Sequence, residues 1–144
     1  MNSKLFGCAD SALETAVSIR YQVFCEDQGV ALEEEIDRYD SDEKTRFVLI
    51  FRDGAPVATG RLIVTETGVK LGRIATLKAY RGTGAGAAVV AALCEEARRN
   101  GAPSVQLDAQ LHAIPFYEKC GFHVAADAII MDAGIAHKRM IKEL

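Results

Sequence analysis

Between Arg81 and Gly86 the chain reads Arg-Gly-Thr-Gly-Ala-Gly. Glycines at alternate positions let successive backbone N–H groups turn inward together, and a helix starting behind them adds the positive end of its dipole. Such a turn is suited to a phosphate or pyrophosphate, with Arg81 adding a charged contact. A plain strand-to-helix connection needs fewer glycines than the three found here. A triphosphate-hydrolysing loop is excluded, because no Gly-Lys-Ser/Thr closes the run. The dinucleotide fingerprint is nearly met by Gly82-x-Gly84-x-x-Ala87, with Asp108 ending the next strand. Two features oppose it: Lys78 to Arg81 separate the first glycine from its strand, and the 36 residues after Asp108 are too few for a second mononucleotide-binding half.

Other residues with chemical potential are scattered. Cys8, Cys25, Cys94 and Cys120 form no CxxC pair and have no histidine at zinc spacing, so neither a disulfide framework nor a metal site is expected, and the thiols read as reduced and cytoplasmic. His112 and His137 are isolated, and a lone histidine is more often structural. Arg20 falls on the apolar stripe of a helix; a guanidinium there either pairs with a carboxylate or reaches a ligand pocket, since an unpaired buried charge is costly. Residues 26 to 43 hold nine acidic side chains, Glu26, Asp27, Glu33, Glu34, Glu35, Asp37, Asp40, Asp42 and Glu43. That run reads either as a solvated face or as an acidic rim attracting a cationic substrate. Tyr117 is either a core aromatic or an amphipathic phenol at a pocket wall.

The elements that must position these groups follow from periodicity. A short strand is expected at Lys4 to Cys8, and a helix capped by Asp10 or Ser11 runs to about Glu26 on Leu13, Ala16, Val17 and Phe24. Phe47 to Phe51, Val57 to Val64 and Val69 to Leu77 form an antiparallel meander turning at Asp53-Gly54 and Thr67-Gly68. After the glycine loop, Ala87 to Asn100 is a helix with Val89, Val90, Leu93, Cys94 and Ala97 on one face, stopped by Gly101. Ser104 to Asp108 then returns parallel to the third strand of the meander. A short helix over Ile114 to Cys120 begins at Pro115 and ends at Gly121. Weaker strands are expected at Phe122 to Ala126 and Ile129 to Asp132, and a last one around Lys138 to Lys142.

The composition fits one soluble α/β domain over residues 1–144, with 49% hydrophobic and 26% charged residues. No apolar run is long enough to span a membrane, and no basic-then-apolar leader opens the chain. Seventeen basic against twenty acidic residues give a net charge of −3, opposite to the surplus of a nucleic-acid binder.

Taken together, Arg81-Gly82-Thr83-Gly84-Ala85-Gly86 and Phe116-Tyr117-Glu118-Lys119-Cys120-Gly121-Phe122 resemble the pyrophosphate loop and tyrosine helix of the GNAT N-acetyltransferase superfamily. The family's N-x-x-A-x-x-x-Y pattern falls on Gln110, Ala113 and Tyr117, with Gln in place of Asn. Lys78 stands where many relatives have Pro. Arg20-x-x-Val23-Phe24-x-x-Asp27-Gln28 and Gly134-Ile135-Ala136-His137 resemble an ElaA-like branch.

The resemblance implies a mixed, mostly antiparallel sheet flanked by helices, splayed between Val69–Leu77 and Ser104–Asp108. It implies acetyl-CoA as donor. Its pyrophosphate would sit on Arg81, Gly82, Thr83, Gly84, Ala85 and Gly86, and its pantetheine arm on the backbone of Ile74, Ala75 and Thr76, with Gln110 nearby. Tyr117 would be the acid that protonates the leaving thiolate. A small-molecule or protein amine would approach the acidic segment at Glu26, Glu35 and Asp37, with the base left open among those carboxylates, His112 and an ordered water. Neither nucleic acid nor membrane is an expected partner; a homodimer is an admitted assembly. The rival readings are a non-catalytic CoA-binding sensor and a transferase similar to acyl-homoserine-lactone synthases, which share an early Arg-x-x-Val-Phe and an acidic pair like Asp37-x-x-Asp40.

Overall fold

The computed structural model describes residues 1–144. Eight strands form one sheet: β1 (Asn2–Phe6), β2 (Arg46–Arg52), β3 (Ala55–Thr65), β4 (Gly68–Thr76), β5 (Ser104–Gln110), β6 (His123–Val124), β7 (Ile130–Asp132) and β8 (Ile135–Glu143). The order is β1-β2-β3-β4-β5-β8-β6, with β7 paired to β8. All pairings are antiparallel except β4 with β5. The helices are α1 (Ala12–Arg20), α2 (Leu32–Glu35), α3 (Ala85–Arg99) and α4 (Ile114–Lys119).

The run Phe47–Ile50 is buried on both faces because helices cover both. Phe47 and Leu49 pack with Phe6, Ala16, Ile19 and Val23 under α1. Val48 and Ile50 point the other way, into the larger cluster with Val89, Val90 and Leu93 of α3. Successive side chains of a strand alternate faces, so one tetrapeptide serves two cores. The hairpin at Asp53-Gly54 forms as the sequence requires, with φ of 51° and 80° at the two loop residues.

Four elements differ from expectation, the first being β1, which runs Asn2–Phe6 and ends before Cys8 instead of reaching it. The first helix changes its hydrogen-bond pattern after Arg20 and continues as a π-helix over Tyr21–Asp27. Its buried residues are Ala16, Ile19, Arg20 and Val23. Asp10 provides the side-chain bond at its start, accepting from the N–H of Ala12 at 2.8 Å. The last strand begins earlier, at Ile135, because Ala133 and Gly134 (φ 50° and 76°) make a second two-residue hairpin that extends the ladder to Asp132↔Ile135. A two-residue turn of that handedness is unexpected with Ala in its first position. The strand expected at Phe122 to Ala126 shrinks to His123–Val124.

Gly60 sits in the middle of β3, facing α3. A Cβ there would lie 2.5 Å from Cγ1 of Val89 and 3.1 Å from Cδ1 of Leu93. Val89 is fully buried, and its branched side chain has little rotameric freedom in a helix. Glycine therefore sets how closely α3, and the loop leading into it, approaches the sheet. Gly60→Ala is expected to destabilise the fold by about 1–3 kcal/mol through overpacking. In urea unfolding, Gly60→Ala/Val89→Ala should lose less than the sum of the two single changes; strict additivity would show that the contact does not set the spacing.

Candidate active site

The central feature is a place where the sheet fails to close. β4 and β5 pair only at Val69↔Val105 and Lys70↔Gln106. Past Lys70 no strand pairs with the β5-facing edge of β4, and a cavity of about 970 Å³ opens along it. The divergence begins at a bulge in β4. Arg61 pairs with Gly72 but Thr59 pairs with Ala75, so β4 carries one extra residue. Arg73 takes up the excess with a left-handed φ of 51°. A bulge bends its strand and strengthens local twist, turning the end of β4 away from β5.

A non-glycine residue at positive φ needs compensation, and Arg73 has it. Its Nε lies 3.2 Å from Oε1 of Glu35 and donates to the Glu35 carbonyl at 3.1 Å. Its Nη2 donates to Asp37 at 3.2 Å. Arg20 donates from Nε to Glu35 at 2.7 Å, and from both Nη atoms to Asp40 at 2.7 and 2.9 Å. Arg61 grips Asp37 with two bonds of 2.7 Å and also reaches Asp40 at 2.9 Å. Three guanidinium groups thus face three carboxylates, and Arg20, Arg61, Glu35 and Asp40 are all buried. Arg20 is the satisfied ion pair of the two readings open to it. The acidic run is correspondingly split: Glu35, Asp37 and Asp40 belong to an internal network, whereas Glu33 and Glu34 remain exposed.

The carboxyls of the network respond differently. Burial raises that of Glu35 above its ordinary value, even against Arg73 and Arg20. Burial also opposes ionisation of Asp37 and Asp40. There the hydrogen bonds and charges of Arg61 and Arg20 prevail, holding both below the ordinary carboxylate range.

At the other end of the cavity lies the glycine loop. Gly82 and Gly84 have φ of 78° and 89°. Gly84 is the N-cap of α3, so the free N–H groups of the first helical turn face the loop. A Cβ on Gly86 would meet Cζ of Phe116 and Oγ1 of Thr76, each at 3.3 Å, so that glycine permits close packing of the helix start against α4. Arg81 is half-exposed, 3.7 Å from Asp27. Between the two ends, Tyr117 stands edge-on to Phe116 and Phe122 at 5.0 and 6.1 Å. Its hydroxyl has no protein partner, and burial raises its pKa, so the phenol keeps its proton at neutral pH.

Of the residues singled out from sequence, Ile74, Ala75, Thr76, Arg81, Gly82, Gly84, Gly86, Gln110, Tyr117, Glu35 and Asp37 all line this one cavity. Thr83, Ala85 and Glu26 do not. Thr83 bonds back to the Tyr80 carbonyl, Ala85 is buried beneath the loop, and Glu26 is exposed outside the cavity. Glu35 and Asp37 reach the wall already held by two guanidinium groups each. Sequence reasoning missed Arg61 and Arg73, and met Gln28 only as part of a motif, without a place in the site. Arg61 carried the same signal as Arg20, a guanidinium inside a buried run between Gly60 and Leu62. The amides of Gln28 and Gln110 bond reciprocally at 3.2 and 3.0 Å, joining the end of the π-helix to the end of β5.

A sheet parted between two parallel strands, with an anion-shaped loop at a helix start and a protonated phenol in the gap, defines an acyltransferase of the CoA-using type. The chain belongs to the GNAT acetyltransferase family: the family model described as "Acetyltransferase (GNAT) domain" matches residues 9–144. It is 35% identical over 134 residues to the uncharacterized N-acetyltransferase YjcF of Bacillus subtilis, covering 93% of this chain and 94% of that protein. Among solved structures, an acyl-CoA N-acyltransferase from Pseudomonas aeruginosa superposes with a TM-score of 0.84 at 25% identity, over 99% of both chains. Escherichia coli ElaA shares the fold with a TM-score of 0.85 at 23% identity, again over 99% of both chains. The expected mixed sheet, the family and acetyl-CoA as the family's donor are thereby established. No helix is long and apolar enough to cross a membrane.

The network makes a stability prediction. Asp37 and Asp40 bind protons more weakly folded than unfolded, so they stabilise the fold above the ordinary carboxylate range of about pH 4 and lose that contribution as pH falls through their depressed values. Glu35, with its raised value, has the opposite sign and does not contribute to that acid loss. Asp40→Asn is expected to cost about 3–5 kcal/mol at pH 7, by leaving buried guanidinium groups short of a charge partner, and to flatten the acid limb of the stability curve. Chemical denaturation at several pH values measures both.

Proposed function

We propose that this chain transfers the acetyl group of acetyl-CoA to a primary amine, by direct attack with both substrates bound. The observation that carries the reading is the unpaired edge of β4 joined to the glycine loop and Tyr117 in one cavity. The residues fit the donor. An edge strand offers N–H and C=O groups to any extended partner, and the amide-bearing pantetheine arm is such a partner for Ile74, Ala75 and Thr76. A Cβ at Gly82 would meet nothing within 4 Å, so backbone N–H groups there are open to a pyrophosphate, with Arg81 at its side. Thr83 and Ala85 serve through the backbone shape of the loop, and Gln110, bonded to Gln28, lines the same cavity.

Acetyl-CoA supplies a thioester carbonyl activated towards amines. Tyr117 holds the proton that the departing sulfur requires. Its raised pKa favours the neutral donor, and the absence of a protein partner leaves its hydroxyl available. A cysteine-bound acyl carrier finds no support, because none of the four thiols lines the cavity, and burial pushes those of Cys94, Cys120 and Cys25 upward.

The acceptor enters beside the π-helix and α2, where Glu34 is an exposed carboxylate without an ion-pair partner; Asp132 of β7, also exposed and unpaired, lines the same cavity. Those two, with Glu26 outside, give the cationic acceptor its electrostatic attraction. Glu35 and Asp37 act there mainly by holding Arg73 and the wall in place.

The direct test is acetyl-CoA thiol release against a panel of amines, together with thermal unfolding. Acetyl-CoA at a hundredfold excess over its Kd should stabilise the fold by about 2.7 kcal/mol. Tyr117→Phe should retain that stabilisation while slowing transfer about 10²–10⁴-fold. Stabilisation by acetyl-CoA without turnover of any amine would favour a CoA-binding sensor; no stabilisation would remove the reading altogether.

A further inference from the structure

The proton that the acceptor amine must lose has so far no assigned destination. Most groups lining the cavity are already committed. Glu35 and Asp37 are each held by two guanidinium groups, and Asp108 is held by Lys70 at 2.7 Å and by Arg139. Glu34 and Asp132 are exposed, as is His112, and no hydrogen bond orients that imidazole. His137 differs from all of these.

It is only 9% exposed yet lines the cavity. Its Nδ1 lies 2.8 Å from the carbonyl oxygen of Ile135. A carbonyl can only accept, so Nδ1 carries the hydrogen and the neutral ring presents a lone pair at Nε2. No protein group bonds to that Nε2. An imidazole fixed in one tautomer by a backbone carbonyl, in a residue that lines a reaction cavity, has the arrangement of a general base.

Resting on the acetyl-transfer reading above, we propose that His137 Nε2 is the base that deprotonates the acceptor ammonium. Nε2 takes one of its three protons and passes it to solvent. The neutral nitrogen then attacks the thioester carbon, so that a C–N bond forms and the C–S bond breaks. The sulfur takes the phenolic proton of Tyr117, and the second proton shed by nitrogen returns to the phenolate. One amide, one thiol and one released proton result.

The register explains why this histidine is held so well. His137 lies directly opposite Gln110 on β5 and Ile130 on β7, flanked on both sides by paired strands. The charged and titratable groups on the same face are Asp108 of β5, two pairs along, with its partners Arg139 of β8 and Lys70 of β4, and Asp132 of β7 on the other side. His112 approaches from the short 3₁₀ turn after β5. Asp108 is compensated by two cations, so Asp132 is the one uncompensated charge near the imidazole. Its exposure weakens that influence by solvent screening.

The experiment uses the amine turned over fastest in a panel of spermidine, tobramycin, L-glutamate and an alanyl peptide. In His137→Asn the side-chain amide reproduces the Nδ1–H bond to Ile135 but removes Nε2. The kcat/KM of wild type and His137→Asn is compared for that amine across the pH range in which the amine loses its own proton. The variant should be about 10²-fold slower at pH 7, approach wild type where the amine is already neutral, and keep its acetyl-CoA stabilisation. An unchanged pH profile and rate in His137→Asn would overturn the assignment while leaving acetyl transfer intact; a wild type inert towards the whole panel would overturn both. Nitrogen-15 NMR of the wild-type imidazole provides a reading independent of any variant: the Nδ1–H tautomer is expected, and the Nε2–H tautomer would refute the proposal.

Discussion

The architecture depends on one bulged residue being held in an unfavourable conformation. Arg73 at positive φ gives β4 its extra residue, and the extra residue turns β4 away from β5. Left to itself, a parallel pair begun at Val69 and Lys70 would be expected to continue. Holding it open means leaving backbone groups unpaired along one edge, which a buried chain tolerates only when something else will satisfy them. The cluster of Arg20, Arg61 and Arg73 with Glu35, Asp37 and Asp40 anchors the bulge from the side of α1 and α2. Removing one member of such a cluster exposes the others to an uncompensated charge, so its six side chains act as a unit.

From that constraint the site follows. The unpaired edge of β4 becomes a place where an extended amide chain can complete the sheet. Gly60 lets α3 press close, which brings the loop at its start to the mouth of the gap. Pro115 in the first turn of α4 helps start the short helix that carries Tyr117 into the wall. The two-residue hairpin at Ala133-Gly134 extends β8 back to Ile135 and so includes His137 in the sheet opposite Gln110. Each local feature of the chain contributes a group or a dimension to the same space.

Much of this was legible in the sequence. The Asp53-Gly54 turn, the doubly buried Phe47–Ile50 run, the strand–loop–helix–strand unit and the alternating glycines all carry local signatures, and local chemistry dictates their structure. The acidic segment was legible only as a choice. Arg20 signalled that some carboxylates must turn inward, but pairing across 15 and 20 residues depends on how α2 folds back, which no period encodes. The bulge was hidden for the same reason: a left-handed Arg73 between Gly72 and Ile74 has no signature until its partners are in place. The early start of β8 was missed because an Ala-Gly turn lacks the Asn or Asp that marks such hairpins. Gln28 meets Gln110 across 82 residues, beyond the reach of any spacing argument.

On the function proposed above, the gap between β4 and β5 takes the arm of coenzyme A. Amide hydrogen exchange of β4, with and without saturating coenzyme A, tests it most directly. The amides from Leu71 to Thr76 that face the gap should exchange readily in the free protein and become protected on binding, along with those of Gly82 to Gly86. Protection confined to the glycine loop, with the edge of β4 unchanged, would contradict the account.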